Sequence, residues 1–352
     1  MLGDRPASER GQLLVITALV LAVVLVGLAL VLNSAIYTEN LSTRQSTDSV
    51  GVTTAIGTGE AEIERAIHHV NRHNNSSNPK VNRAFDDAIR DLNNDTNDEY
   101  AKRGTSYRFQ VTDRTNGTHL KHTNSSKSFV SGGSNSGQGD WLLAGSVPHL
   151  RDYRMTVQPR YLYTGSDLTI DILMNNAFRV NMTGEDQSGS EVTWEVYVYE
   201  NDTGDVVVVG ANETELLSED TIEDLTTFED GCRAVTSSDD EDVTLDFTNG
   251  TVSGQSCSGL AFQDHFEGPI SIRYENADDN ETLAESRSGG TYELAIGTTD
   301  YEDQHFHNAT EDQSPYATHI IYSARVESHY ARADITHSRT MRLYPGIETY
   351  VG

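Results

Sequence analysis

Lysine is almost missing from this chain: Lys80, Lys102, Lys121 and Lys127 are the four there are, and none follows a glycine. That rules out a phosphate-cradling Gly-Lys-Ser/Thr loop, and no G-x-G-x-x-G opens a helix. A G-x-S-x-G nucleophile elbow and an H-E-x-x-H zinc helix are also missing. No basic stripe exists to neutralise phosphates, so nucleic acid is not an expected partner. Cysteine is reduced to Cys232 and Cys257, too few for a disulfide-dense scaffold or a cysteine-built metal site. With no catalytic constellation, the expectation is a protein that is not an enzyme and needs no cofactor.

What the chain has instead is acid. The formal charge is −29, yet Asp4, Glu9 and Glu39 balance Arg5, Arg10 and Arg44 over residues 1–46. All the excess negative charge therefore lies further along. It is dispersed among strand-like segments rather than blocked, which argues against a disordered acidic tail. An acidic, lysine-poor surface resembles that of proteins from extreme halophiles, where molar salt cuts the Debye length to about 3 Å and screens self-repulsion.

The chain is organised around one apolar run. Leu13–Leu32 holds twenty residues without a charge, interrupted only by Thr17 and Gly27 among the aliphatics. As a helix it would be about 30 Å long, the thickness of a bilayer's hydrocarbon core, and it lacks a polar face. The eleven residues before it are short and polar, MLGDRPASERG, and the run gives way to Asn33-Ser34-Ala35. Three arrangements are open: a permanent signal anchor, a cleaved signal peptide, or a leader cut in front of the helix.

The Arg10-Gly11-Gln12 junction ahead of an aliphatic helix resembles the class III, prepilin-type leaders of archaeal pilin-like proteins, haloarchaeal ones included. It is also similar to the start of Tad-type pseudopilins. The resemblance covers about the first forty-five residues. It implies cleavage between Gly11 and Gln12 on the cytoplasmic side, with the helix left in the membrane or packed in a filament. It also implies other pilin-like subunits and a pilus assembly platform as partners. The fifth position of the mature chain, glutamate in many type IV pilins, is Ile16 here.

Beyond the run, everything after about Asn33 is expected outside the cell. Cys232 and Cys257 would pair there, closing a loop worth about 3–4 kcal/mol; kept inside, they would be free thiols. A dozen Asn-x-Ser/Thr sequons follow the run: Asn40, Asn74, Asn75, Asn94, Asn116, Asn124, Asn181, Asn201, Asn212, Asn249, Asn280 and Asn308. Singly weak, together they fit a glycosylated extracellular surface.

Periodicity supplies the coarse fold. Ile63, Ile67 and Val70, then Val81, Phe85, Ala88, Ile89 and Leu92, repeat at helical spacing, predicting two short amphipathic helices with a turn at Pro79. From Ser106 the period becomes two, beginning with Tyr107, Phe109 and Val111. Val192–Tyr199 and Val206–Val209 flank Asn201–Asp205, a five-residue hairpin loop carrying Gly204. Ile270, Ile272 and Tyr274 are answered across a polar loop by Tyr292, Leu294 and Ile296, and Ile320–Leu343 reads as one long alternating stretch. The segment 213–242 has no readable pattern.

The expected fold is thus α+β: leader 1–11, transmembrane helix 12–48, helical stalk 49–103, and a mainly antiparallel, sandwich-like outer domain 104–352. His69 and His73, with His68 beside them, stand at i, i+4, but two ligands on a solvated face are weak grounds for a metal. His305 and His307 read as loop surface, and Asp239-Asp240-Glu241-Asp242 as hydrated surface rather than a calcium loop. The function expected is a membrane-inserted, pilin-like surface protein, a minor or assembly-linked component; the alternative is an anchored extracellular binding domain.

Overall fold

The structure, a computed structural model, describes residues 7–164, 170–212, 231–236, 241–278, 287–308, 313–333, 335–344 and 348–351; for 7–16, 32–54, 170–172 and 348–351 it describes backbone alone. The chain divides into two units, Met1–Gly59 and Glu60–Gly352. Helix α1 (Ala7–His73) makes up the described part of the first unit and ends in the second. Among the described residues no helix is long and apolar enough to cross a membrane. The side chains of Leu13–Ile16 and Leu32, part of the apolar run, lie outside that description.

In the second unit α1 is followed by α2 (Asn78–Ala101), which starts at an extended Ser77 with Pro79 in its first turn. Proline suits that place, where its missing N–H would have had no helical partner. The turn therefore precedes Pro79 instead of sitting on it. Ile63, Ile67 and Val70 of α1 and Val81, Phe85 and Ile89 of α2 are buried, each worth about 1.5–3 kcal/mol. Ala88 and Leu92, at the edge of the stripe, are only half-buried.

The body is mostly β and sandwich-like. Its strands are β1 (Ser106–His122), β2 (Trp141–Val147), β3 (His149–Val157), and then, after the short helix α3 (Ile170–Asn176), β4 (Phe178–Glu185), β5 (Glu191–Glu200) and β6 (Val206–Asn212). Next come β7 (Gly231–Ala234), β8 (Val243–Asp246), β9 (Thr251–Val252), β10 (Gln255–Ser256) and β11 (Ile270–Glu275). The last are β12 (Gly290–Ile296), β13 (His307–Asn308), β14 (Tyr316–Arg332), β15 (Ile335–Leu343) and β16 (Glu348–Val351).

Among the described residues these form two sheets. The larger runs β10-β9-β8-β3-β12-β1-β14-β13, with β15 also on β14 and β16 also on β3; the smaller runs β2-β11-β4-β5-β6-β7. Neighbours are antiparallel apart from the short β13–β14 contact. One core fills the space between the sheets, drawing Leu120, Met155 and Leu294 from the larger and Val180, Val196 and Ile272 from the smaller. Both tryptophans are buried with their indole N–H satisfied, Trp141 by Phe129 O at 2.9 Å and Trp194 by Gly259 O at 3.1 Å. A side chain at Gly210 would run into the Gly259 backbone, so glycine is required at that approach.

Two sequence expectations are corrected here. The Ile270 and Tyr292 segments are not partners: β11 pairs with β2 and β4, β12 with β1 and β3. They meet face to face instead, with the Tyr274 and Tyr292 rings 5.2 Å apart across the core. The final alternating stretch is not one strand but the β14–β15 hairpin, turning between Arg332 and Ile335. The β5–β6 hairpin forms as the pattern implies, with Glu200 opposite Val206. It is buried on both faces, however, because Leu173 and Ala177 cover Tyr197, Tyr199, Val207 and Val209 from outside.

The larger sheet has two gaps, and side chains of the helices fill them. β12 pairs with only Thr118–His122 of β1, and β15 with only Ala324–Arg332 of β14. The carboxamide of Asn93 accepts from Phe109 N at 2.7 Å and donates to Phe109 O at 2.8 Å. Asn71 does the same for Ile321, at 2.8 and 3.0 Å, and His319 N donates to Asn75 O at 2.9 Å. An asparagine amide presents the donor and acceptor that a neighbouring strand would, so these stretches of edge are closed to other chains.

Candidate functional site

The most conspicuous exposed surface is on the first unit. Ten large apolar side chains between Leu19 and Val31 of α1 are 55–69% exposed, and at 100° per residue they point in every direction. Each Leu or Val left in water forfeits about 1.5–3 kcal/mol of burial, so an uncovered apolar surface of this kind marks an interaction. Gly11 and Gln12 lie within α1, one turn from its start at Ala7, and are described by backbone alone.

Cys232 on β7 and Cys257, just after β10, are joined by a disulfide, their Cα atoms 5.6 Å apart. β7 and β10 are the outermost strands of their sheets on these paths. The bond thus staples one side of the sandwich, a role the linear sequence does not reveal.

The sequons fall into groups. Asn94, Asn249 and Asn308 are exposed, whereas Asn74, Asn75, Asn116, Asn124, Asn181, Asn201 and Asn212 are half-buried. Asn181 is engaged in the sheet, its amide donating to Glu195 Oε1 at 3.3 Å beside the Arg179–Glu275 ion pair. Asn201 closes the β5–β6 loop with its oxygen, accepting from Thr203 N at 3.1 Å and Asp205 N at 3.0 Å. Asn40 is described by backbone alone, and Asn280 lies outside the described residues.

The His69 and His73 rings are 4.7 Å apart on α1. No group of three potential ligands assembles among the described residues. His305, expected on the surface, is buried against Trp141, with Nδ1 3.1 Å from Leu142 O. His307 reaches back to Gly133 N at 3.4 Å. Of the acidic run, Asp239 and Asp240 lie outside the described residues, and Asp242 accepts from Gln158 Nε2 at 2.9 Å.

One polar groove does assemble, from residues the sequence gave no reason to connect. The end of α1 contributes His68, Asn71 and Arg72, and the turn after it Asn75; β1 contributes His119 and Lys121; β14 contributes Tyr316 and Thr318. Together they line a space of about 730 Å³. Beside it, on β12, Glu293 Oε2 lies 3.6 Å from both His119 Nε2 and Lys121 Nζ. The Glu293 carboxyl is held down to about 2, by the His119 ring first and then, against the effect of burial, by Lys121. Burial pushes the His119 pKa down, opposed by the neighbouring Glu293 carboxylate. The only signal in the sequence was His119 and Lys121 two apart on an alternating strand, which puts them on one face.

A model of a family of unknown function, DUF7261, matches residues 7–132. The match takes in α1, α2 and β1 and stops in the loop before β2. None of the curated proteins and none of the solved structures compared with the chain matches it.

Proposed function

We propose that the protein is a membrane-inserted, pilin-like surface protein, a minor or assembly-linked component of a type IV pilus-like system. The observation that carries this reading is the all-round exposed apolar surface of Leu19–Val31, set directly behind the Arg10-Gly11-Gln12 junction. Water is a poor surrounding for such a helix; a bilayer or a bundle of like helices suits it. On this reading the N-terminus is cytoplasmic, the helix crosses the membrane once, and the β body with its disulfide and exposed sequons is extracellular. The partners are the membrane, other pilin-like subunits and an assembly platform.

Removing MLGDRPASERG discards Asp4, Arg5, Glu9 and Arg10 together. Each would cost about 3 kcal/mol at the centre of the hydrocarbon, so the cut frees the helix to leave the bilayer for an apolar bundle. Terminal sequencing of the protein recovered from membranes is the test. Gln12 is the expected first residue, and Gly11→Val should block the cut. An intact N-terminus at Met1 or Leu2 would overturn the reading in favour of a second one, an anchored extracellular binding domain. The groove between α1, β1 and β14 is what favours that second reading.

A further inference from the structure

We infer that the groove lined by His68, Arg72, Asn75, His119, Lys121 and Tyr316 is a binding site for an anionic saccharide, a sugar that carries a carboxylate or a sulfate. The inference does not rest on filament membership and holds for either reading above.

The charge of the lining decides the sign of the ligand. In a chain of −29 with four lysines, Lys121 and Arg72 stand on one groove whose lining holds no carboxylate among the described residues, the nearby acids Glu293 and Asp152 lying outside it. The Arg72 guanidinium makes no ion pair among the described residues, and its side chain is exposed toward solvent. His119 Nε2 is buried without a hydrogen-bond partner, since 3.6 Å to Glu293 is too long for one. A buried polar atom of this kind is satisfied when a ligand group or water reaches it. A metal cation would meet two fixed positive charges in place of carboxylates. A nucleic acid would need a longer basic track and would face the repulsion of the remaining surface.

Size and polarity then choose among anions. A space of about 730 Å³ is of the order that small organic ligands fill, whereas a bare oxyanion would leave most of it to water. The rest of the lining is amide, hydroxyl and imidazole, with Tyr316 as the one phenolic ring. Such a surface is poorly matched to an apolar body and well matched to one covered in hydroxyl groups. The acid of the sugar would lie between Arg72 and Lys121, where charge-assisted hydrogen bonds are strongest, and the ring hydroxyls would face His68, Asn75 and His119.

The test is calorimetric titration of the full chain in detergent with glucuronate, glucose 6-sulfate, glucose and inorganic sulfate. Saturable binding of the two acidic sugars is expected, with glucose weaker by about tenfold or more for want of the charge-assisted contacts, and inorganic sulfate weaker by about tenfold or more for want of the hydroxyl contacts. Arg72→Gln and, separately, Lys121→Gln should weaken both acidic sugars by a similar factor while the far-ultraviolet circular dichroism stays unchanged. Arg90→Gln, a cation paired with Asp87 on the exposed side of α2, should change nothing. Failure of both acidic sugars to bind would overturn the inference, as would glucose or inorganic sulfate binding equally well. So would undiminished binding by folded Arg72→Gln and Lys121→Gln.

Discussion

Asn71 and Ile321 are separated by 250 residues, yet the Asn71 carboxamide makes both hydrogen bonds of the Ile321 peptide groups, 2.8 Å from N and 3.0 Å to O. The end of α1 is thereby joined to β14 as a neighbouring strand would be. Replacing Asn71 with alanine should cost about 2 kcal/mol, because two backbone groups lose their partner and one side chain no longer orders the contact. Asn71→Asp keeps the acceptor and loses the donor, so it should also destabilise. Urea denaturation followed by circular dichroism measures both; a midpoint unmoved by Asn71→Ala would show that water replaces the amide without loss.

The Cys232–Cys257 bond ties strands at the same side of two different sheets. Cys257→Ser should therefore lower stability by about 3–4 kcal/mol, the loop-closure contribution for a loop of this length. Mass mapping of freshly isolated, unreduced protein should recover the two cysteines in one crosslinked peptide pair. Two free thiols in that preparation would contradict the pairing.

His122 makes the stability of the body depend on pH. Its ring is buried, stacked on Tyr292 and edge-on to Phe129, and burial pushes its pKa down to about 4. The unfolded chain, with an ordinary value near 6.5, takes up a proton first as the pH falls. Stability from this group is complete above about pH 6.5, declines as the pH drops toward 4, and is lost below it, by up to about 3 kcal/mol. Denaturation midpoints recorded across that window should fall with pH, and His122→Gln should flatten the slope. Identical slopes in the two proteins would assign the effect elsewhere.

The excess of acids predicts a salt requirement. Unscreened carboxylates repel over a distance that shrinks from about 10 Å at 0.1 M salt to about 3 Å at 1 M. The melting temperature of the protein should rise steadily along a dialysis series from 0.1 M to about 3 M potassium chloride. A flat profile would show that surface charge is incidental to folding.

The buried faces of the helices and most strands were legible because their burial has a single period, although the first short helix expected is the end of the 67-residue α1. Ile63, Ile67 and Val70 keep one face of α1 buried, and Tyr107 and Phe109 alternate on β1 as a one-sided strand should. What stayed hidden was everything that depends on pairing across long separations. Nothing local in Ile270–Tyr274 or Tyr292–Ile296 says that the two lie in opposite sheets. Likewise His305 sits in a polar stretch, and only the return of that loop over Trp141 buries it. The groove was invisible for the same reason: its cations come from a helix end and a strand, and each looks like ordinary surface in its own segment.

Val206–Val209 places four identical side chains in a strand whose two faces are both covered. Sliding β6 by one residue along β5 would put valine where valine had been, so greasiness carries almost no alignment information here. Alignment is instead written into the polar ends of the hairpin. Asn201 fixes the length of the turn, Gly204 takes its φ of +82°, and Asp205 grips Arg233 on β7. Cys232, opposite Val208, then locks the third strand in place through its crosslink. The hairpin is proofread by its punctuation, and a change at Asn201 or Asp205 would blur the frame of three strands while leaving every buried methyl group intact.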